Sequence, residues 1–378
     1  MGTASPHTII VAIQGGSEVR FEPGFVKELQ EDLNNVKPEI KAKQDRPGAL
    51  VEKQLLSLCC ATPQEVVDGE HARPSDVVRY DELTSWQPAV DAIRAGEIAF
   101  VVLAGGAGTR AGGPKAFMRL PKLGMTLMAN KLVQSGFTTH DGEAIQAQTW
   151  FMTAPEHLER FGNHLIGLVP QPSEGVVFEQ FESYRLAVNN RIVFTEPGVP
   201  ELYPTGHGDI GPALIESGVL DDHPNVKHCV IVNCDNVLAS LDPIILSRHL
   251  EAGVDVTCEL IDREKKDAGG VPVWVDNKLQ VVENFRLPDG FIDGALYHNT
   301  NSFIISVEAL KTSLPWRWHR IRKQVGNRLV IQYERLIQQY TEAFSTQYIV
   351  VDRKRRYLPV KVEGDLERAD EFLNGNRL

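Results

Sequence analysis

Gly96-Glu-Ile-Ala-Phe-Val-Val-Leu-Ala-Gly-Gly-Ala-Gly-Thr-Arg-Ala-Gly-Gly-Pro-Lys-Ala116 runs from an apolar segment into a turn crowded with glycine. Ile98 to Leu103 reads as a buried strand, because a short apolar run rich in branched residues fills a sheet interior. The turn after it has competing readings: a dinucleotide site, an ATP-binding P-loop, a nucleotide whose own phosphates react, or a plain strand-to-helix connection. Gly106-Ala-Gly108-Thr-Arg-Ala111 fits the dinucleotide pattern G-x-G-x-x-A. That pattern also wants an acidic residue about twenty positions on, to bind a ribose hydroxyl. No Asp or Glu occurs from Ile98 through His140. A P-loop needs lysine directly after glycine, then a hydroxyl. Here Pro114 intervenes and Ala116 replaces the hydroxyl. The third reading fits better. Glycines let backbone N–H groups approach phosphates closely. Arg110, Lys115, Arg119, Lys122 and Lys131 make the acid-free span basic, as several phosphates require.

The chain has 378 residues, 42% of them hydrophobic. That is enough for one large α/β domain with appendages, or two domains. Its formal net charge of −11 argues against a nucleic-acid partner. Cys59, Cys60, Cys229, Cys234 and Cys258 are odd in number and show no C-x-x-C pair. A disulfide scaffold or zinc site is therefore not expected, and a reducing cytoplasm fits. Met1 to Thr8 lacks the basic start of a signal peptide. The longest wholly apolar run, Ile98 to Ala104, is about seven residues, far short of the ~20 a membrane helix needs. The expectation is a soluble, cytoplasmic protein without a membrane partner. Nothing in the sequence sets its oligomeric state, monomer or dimer.

Residues 1–95 read as a mostly helical N-terminal appendage. Phe25 to Leu33 and Ala49 to Leu58 have helical spacing, and Pro38, Pro47, Pro63, Pro74 and Pro88 punctuate the region. From residue 96 to 378, strand and helix signals alternate, which argues for α/β. Thr149 to Thr153, His228 to Asn233, Val254 to Leu260, Phe303 to Ile305 and Tyr348 to Val351 are further expected strands. Pro272 to Val275 and Leu279 to Asn284 suggest a hairpin around Asp276-Asn277.

Leu103-Ala-Gly-Gly-Ala-Gly-Thr-Arg110 with Pro114-Lys115 resembles the signature of sugar-1-phosphate nucleotidyltransferases. Further stretches narrow the resemblance to the UDP-glucose pyrophosphorylase family, related to UDP-N-acetylglucosamine pyrophosphorylases. They are Tyr203-Pro-Thr-Gly-His-Gly-Asp209, Ser217-Gly-Val-Leu-Asp221, Asn233-Cys-Asp-Asn236, Gly269-Gly270, Asn299-Thr-Asn301 and Arg356-Tyr-Leu-Pro-Val-Lys361. They come in the family's order. The resemblance implies a Rossmann-like, GT-A-like mixed central sheet flanked by helices, with a sugar-binding part at about residues 255–345.

Site roles follow from the resemblance, each beside a plainer reading of the residue. Leu103, Ala104, Gly105, Gly106, Gly108 and Thr109 would bind the nucleotide, with Arg110 and Lys115 on the departing pyrophosphate. Asp235 follows an apolar strand, where ligands of open α/β sheets gather. It would hold Mg²⁺, which favours one or two carboxylates plus phosphate oxygens; an Asp there also suits a helix N-cap. Gly206 and Gln180 would contact the base. His207 would donate to phosphate, or serve only to satisfy loop carbonyls. Asn233 would orient phosphate or metal. Gly270, Glu283, Asn299 and Asn301 would hold the sugar phosphate; without the resemblance, Glu283 is an exposed strand residue. Lys361 would neutralise phosphate charge. Arg353-Lys-Arg-Arg356 reads as a solvated face. Trp316-Arg-Trp-His-Arg-Ile-Arg-Lys323 reads as a surface helix or a loop beside the nucleotide.

The implied reaction is Mg²⁺-dependent nucleotidyl transfer from UTP to a sugar 1-phosphate such as glucose 1-phosphate. Gly112-Gly113-Pro114-Lys115 is about two residues shorter than the family pattern, so GTP or ATP, and a modified sugar or cyclitol phosphate, stay open. The chain ends soon after Lys361, so no C-terminal β-helix is expected. Rival classes are a UDP-sugar-dependent glycosyltransferase, a catalytically inactive nucleotide-sugar sensor and, more distantly, a dehydrogenase.

Overall fold

The computed structural model describes residues 9–12, 18–21, 23–60, 66–106, 114–168 and 175–375. The chain forms two compact units. The larger holds residues 66–180, 210–315 and 337–378; the smaller holds residues 1–65, 181–209 and 316–336.

The larger unit is built on an eight-stranded sheet. Its strands are β1 (Val78–Arg79), β2 (Ile98–Leu103), β3 (Gln148–Thr153), β4 (Gly175–Glu179), β5 (His228–Asn233), β6 (Val256–Asp262), β7 (Tyr297–Ser306) and β8 (Thr346–Val351). They lie in the order β4-β3-β2-β5-β7-β6-β8-β1. Every pairing is parallel except the two made by β7. The sheet is therefore mixed, as expected. All six residues of β2 are buried, as a strand covered on both faces must be. Ile98, Phe100 and Val102 face a core that also contains Phe151, Phe161, Val230 and Val232.

Flanking helices begin where capping chemistry places them. Thr126 Oγ1 accepts from Ala129 N–H at the start of Leu127–Gln134. Asp242 caps Pro243–Ala252 through the N–H groups of Ile244 and Ile245, with proline at the first position. That helix ends at Gly253, whose φ of 61° is left-handed. Among the described residues no helix is long and apolar enough to cross a membrane.

The division differs from a boundary at residue 95. Residues 66–95 belong to the larger unit, because Val78–Arg79 pairs with β8 and Gln87–Arg94 packs beside Pro243–Ala252 through Ala89 N–H and Ser247 Oγ. The smaller unit does hold the N-terminal helices Pro23–Asn35, Pro38–Gln44 and Glu52–Cys60. It also recruits a sheet of Leu186–Ala187, Arg328–Glu334 and His319–Val325 from later in the chain. Leu29, Leu33, Leu55, Tyr184, Ile331 and Tyr333 form its core.

Two expectations are corrected here. Trp316 to Lys323 is neither helix nor loop throughout, because His319–Val325 is a strand in a hairpin with Arg328–Glu334. Gly326, with φ 55°, turns the chain there. The Arg353–Arg356 run is not wholly solvated. Lys354 and Arg355 are exposed, but Arg356 is buried and pairs with buried Glu259 at 2.7 Å.

Candidate active site

Strand register assembles the candidate residues of the larger unit. Leu103 and Asn233 sit opposite each other at the carboxyl ends of β2 and β5. The chain leaving β2 is the glycine turn, starting at buried Leu103 and Ala104 and passing Gly105 and Gly106. Gly108, Thr109 and Arg110 lie outside the described residues. Where description resumes, Pro114 precedes a short 3₁₀ turn that opens on Lys115. Lys115 Nζ lies 2.6 Å from Asp235 Oδ2 and donates to the Val360 carbonyl at 2.7 Å.

Asp235 is held by its neighbours rather than by a helix; the N-cap reading does not apply, since no helix starts there. Its carbonyl accepts from Val360 N–H at 2.8 Å, and Val237 N–H donates to the Leu358 carbonyl. Asn236 bridges the same two segments. Its Nδ2 donates to the Arg356 carbonyl and its Oδ1 accepts from Leu358 N–H. The two motifs, 233–236 and 356–361, thus lie side by side. Lys361 follows at the end of this strap with its side chain exposed, its N–H donating to Asp365 Oδ2 at 2.8 Å.

Lys131 departs from the expectation of a phosphate-facing basic span. It is fully buried and donates to Gln134 Oε1 and to the carbonyls of Asn236 and Ala239. Burial pushes its pKa down to about 7. It supports the turn after Asp235 from below.

The sugar-side candidates form one chain of contacts leading away from β5. Asn301 Nδ2 donates to Asn233 Oδ1 at 2.9 Å. Asn301 holds a left-handed φ of 60°, and its N–H donates to Asn299 Oδ1 at 2.9 Å. Asn299 N–H donates to the Gly270 carbonyl, also at 2.9 Å. A side chain at Gly270 would come within 3.1 Å of Glu283 Oε1. Asn233, Asn301, Asn299, Gly270 and Glu283 are therefore contiguous. Glu283 lies just past the strand Lys278–Val282 and is not fully exposed.

Gln180, buried at the end of β4, reaches the glycine turn. Its Oε1 would be 1.8 Å from a Cβ placed on Gly105. Only glycine at position 105 leaves room for that amide.

Gly206 and His207 lie in the smaller unit. Gly206 has φ 105°, and a Cβ there would meet the Arg335 carbonyl at 2.4 Å. Arg335 is almost wholly buried, bonded to Asp209 at 2.8 Å, with its guanidinium over the rings of Trp318 and Phe181. Thr205 Oγ1 completes the loop by donating to Asp209 Oδ2. Burial of His207 pushes its pKa down to about 4, so the ring is neutral near pH 7 and can donate without adding charge.

Sequence reasoning missed two contributors, the Val360 carbonyl and Gln338, whose Nε2 donates to Glu283 Oε1, and it gave Lys131 the wrong surroundings.

Among the described residues no three His, Cys, Asp or Glu side chains gather as a metal site. A single partly exposed carboxylate at Asp235 suits Mg²⁺ carried on phosphates, since that ion keeps waters and takes one or two carboxylates.

The chain is similar to known proteins. The chain is 25% identical over 333 residues to the UTP–glucose-1-phosphate uridylyltransferase of Hordeum vulgare, covering 78% of this chain and 66% of that one. It is 24% identical over 339 residues to a Schizosaccharomyces pombe protein named "Probable UTP–glucose-1-phosphate uridylyltransferase", covering 79% and 63%. The chain thus spans just under two thirds of the length of these relatives. The crystal structure of a point mutant of Leishmania major UDP-glucose pyrophosphorylase, in complex with UDP-glucose, shares the fold. Its TM-score is 0.68 at 19% identity, covering 90% of this chain and 78% of that one. Residues 60–370 match the family described as UTP–glucose-1-phosphate uridylyltransferase, and with the ordered motifs at the ends of β2 and β5 this chain belongs to that family.

Proposed function

We propose that this chain catalyses nucleotidyl transfer, converting UTP and a sugar 1-phosphate such as glucose 1-phosphate into a UDP-sugar and pyrophosphate. The observation that carries the reading is the Lys115–Asp235 pair, set beside the glycine turn in a chain of this family. A cation and a carboxylate there can serve two anionic substrates that repel each other.

A phosphate oxygen of the sugar 1-phosphate attacks the α-phosphorus of UTP. A new oxygen–phosphorus bond forms, the bond to the bridging oxygen breaks, and pyrophosphate leaves with the electron pair. The nucleophile is already ionised near neutral pH, so no proton need be removed. Catalysis then rests on positioning and charge neutralisation. Lys115 and Arg110 are assigned the departing pyrophosphate. Asp235 is poised to hold Mg²⁺, which when bound would neutralise charge on the reacting phosphates. Lys361 is assigned the rim of the phosphate site. Gln180, which reaches the glycine turn, is assigned the base. Asn233, Asn301, Asn299, Gly270 and Glu283 are assigned the sugar phosphate; their donors and acceptors are the kind sugar hydroxyls need.

The test is pyrophosphate release with the four common nucleoside triphosphates against a panel of sugar and cyclitol 1-phosphates, with Mg²⁺. Release that needs both a triphosphate and a sugar 1-phosphate, fastest with UTP, is expected. Consumption of a UDP-sugar without pyrophosphate chemistry would replace this reading with a glycosyltransferase.

A further inference from the structure

We infer that Gln338 is a positioning residue for sugar recognition, holding the Glu283 carboxylate in the one orientation that accepts sugar hydroxyls. The inference rests on the nucleotidyl-transfer reading above and adds a residue to it.

Gln338 is 2% exposed, and its Nε2 donates to Glu283 Oε1. Its Oε1 is buried with no hydrogen-bond partner among the described residues. A buried amide with an unmet oxygen costs stability. The fold bears that cost at the position where the amide nitrogen is aimed at the sugar-side carboxylate.

The backbone fixes this aim. Thr341 Oγ1 donates to the Gln338 carbonyl at 2.6 Å and accepts from Val281 N–H at 2.9 Å. Val281 lies on the strand Lys278–Val282 that leads into Glu283. Lys278 Nζ donates to the Glu342 carbonyl at 2.8 Å, and Arg286 Nη1 to Glu342 Oε1 at 2.9 Å. The segment carrying Gln338 and the stretch Lys278–Arg286 that carries Glu283 are thus joined at three points besides the Gln338–Glu283 bond itself. On its other side Glu283 Oε1 abuts Gly270, where no side chain intervenes.

The chemistry of the donor matters. A carboxylate offers about four acceptor directions. A lysine or arginine partner would compete with hydroxyls by charge. A neutral amide fixes one oxygen without adding a charge of its own.

The test is isothermal titration of UDP-glucose and, as a control, UDP into the full chain, for wild type, Gln338→Met and Gln338→Asn. Methionine keeps the volume without the donor; asparagine keeps the amide but is too short to reach. Wild type should bind both ligands. Each variant should bind UDP-glucose about tenfold more weakly, with UDP affinity within about twofold of wild type. UDP-glucose affinity unchanged in either folded variant, or an equal loss for UDP and UDP-glucose, overturns the inference. Wild type that binds neither ligand overturns the proposed function itself, and the inference with it.

Discussion

The Lys115 ammonium lies 2.6 Å from the Asp235 carboxylate, across 120 residues of sequence. Both groups are partly exposed, with side-chain accessibilities of 23% and 28%. Such a pair is not built for stability, because solvent screens it. On the proposed function, each group would hold the other until phosphates and Mg²⁺ compete for them.

Lys115→Ala should lower turnover about 10²–10³-fold, the usual cost of removing one charge-stabilising donor. The melting temperature should stay within a few degrees of wild type. Pyrophosphate release and a thermal melt on the same preparation check both halves. Wild-type turnover in the variant would remove Lys115 from the mechanism.

Asp235→Asn keeps an oxygen for Lys115 but removes the negative charge. The Mg²⁺ concentration for half-maximal activity should rise at least about tenfold, and chelation should abolish wild-type activity. A Mg²⁺ titration of initial rates decides it. An unshifted midpoint would place the metal elsewhere.

The Arg356–Glu259 pair is a stability element rather than a solvated face. Arg356→Met alone strands a buried carboxylate and should cost about 3–5 kcal/mol. The double variant Arg356→Met with Glu259→Leu should recover most of that loss. Urea denaturation of the three proteins measures it. A small loss in the single variant would contradict the burial of the pair.

Acid should destabilise the larger unit before its carboxylates titrate. Burial lowers the pKa of His249 to about 3 and of His298 to about 4, against an ordinary 6.5. These rings stay neutral in the folded chain while the unfolded chain takes up protons. Their contribution is complete above about pH 6.5 and is lost progressively as pH falls towards 4. Urea midpoints should therefore decline between pH 7 and pH 5, and His298→Gln should flatten that decline. A flat profile in wild type would show that the rings are protonated in the folded state.

Much of the fold was legible in the chain. Ile98–Leu103 and His228–Asn233 match the expected strands residue for residue. The hairpin around Asp276-Asn277 was signalled by its turn, and both residues do adopt positive φ. These features are local, because they follow from side-chain period and turn chemistry. The family resemblance grouped Asn233, Asp235, Asn301 and Gly270 in expectation; in the structure Asn301 Nδ2 meets Asn233 Oδ1, and Asn299 N–H meets the Gly270 carbonyl.

Other features depended on partners far away in sequence. Lys131 looked like one more cation of a basic span, but packing buried it against the carbonyls of Asn236 and Ala239. Arg356 sat in a run of four basic residues, and only Glu259 on β6 made it internal. Nothing near Gln338 marks it as Glu283's partner. The sequence by itself determined the central strands from Ile98 onward, the Asp276-Asn277 turn and the kinds of chemistry available. Tertiary structure decided which cation meets which carboxylate, because charge pairing is set by strand order and register rather than by neighbours along the chain.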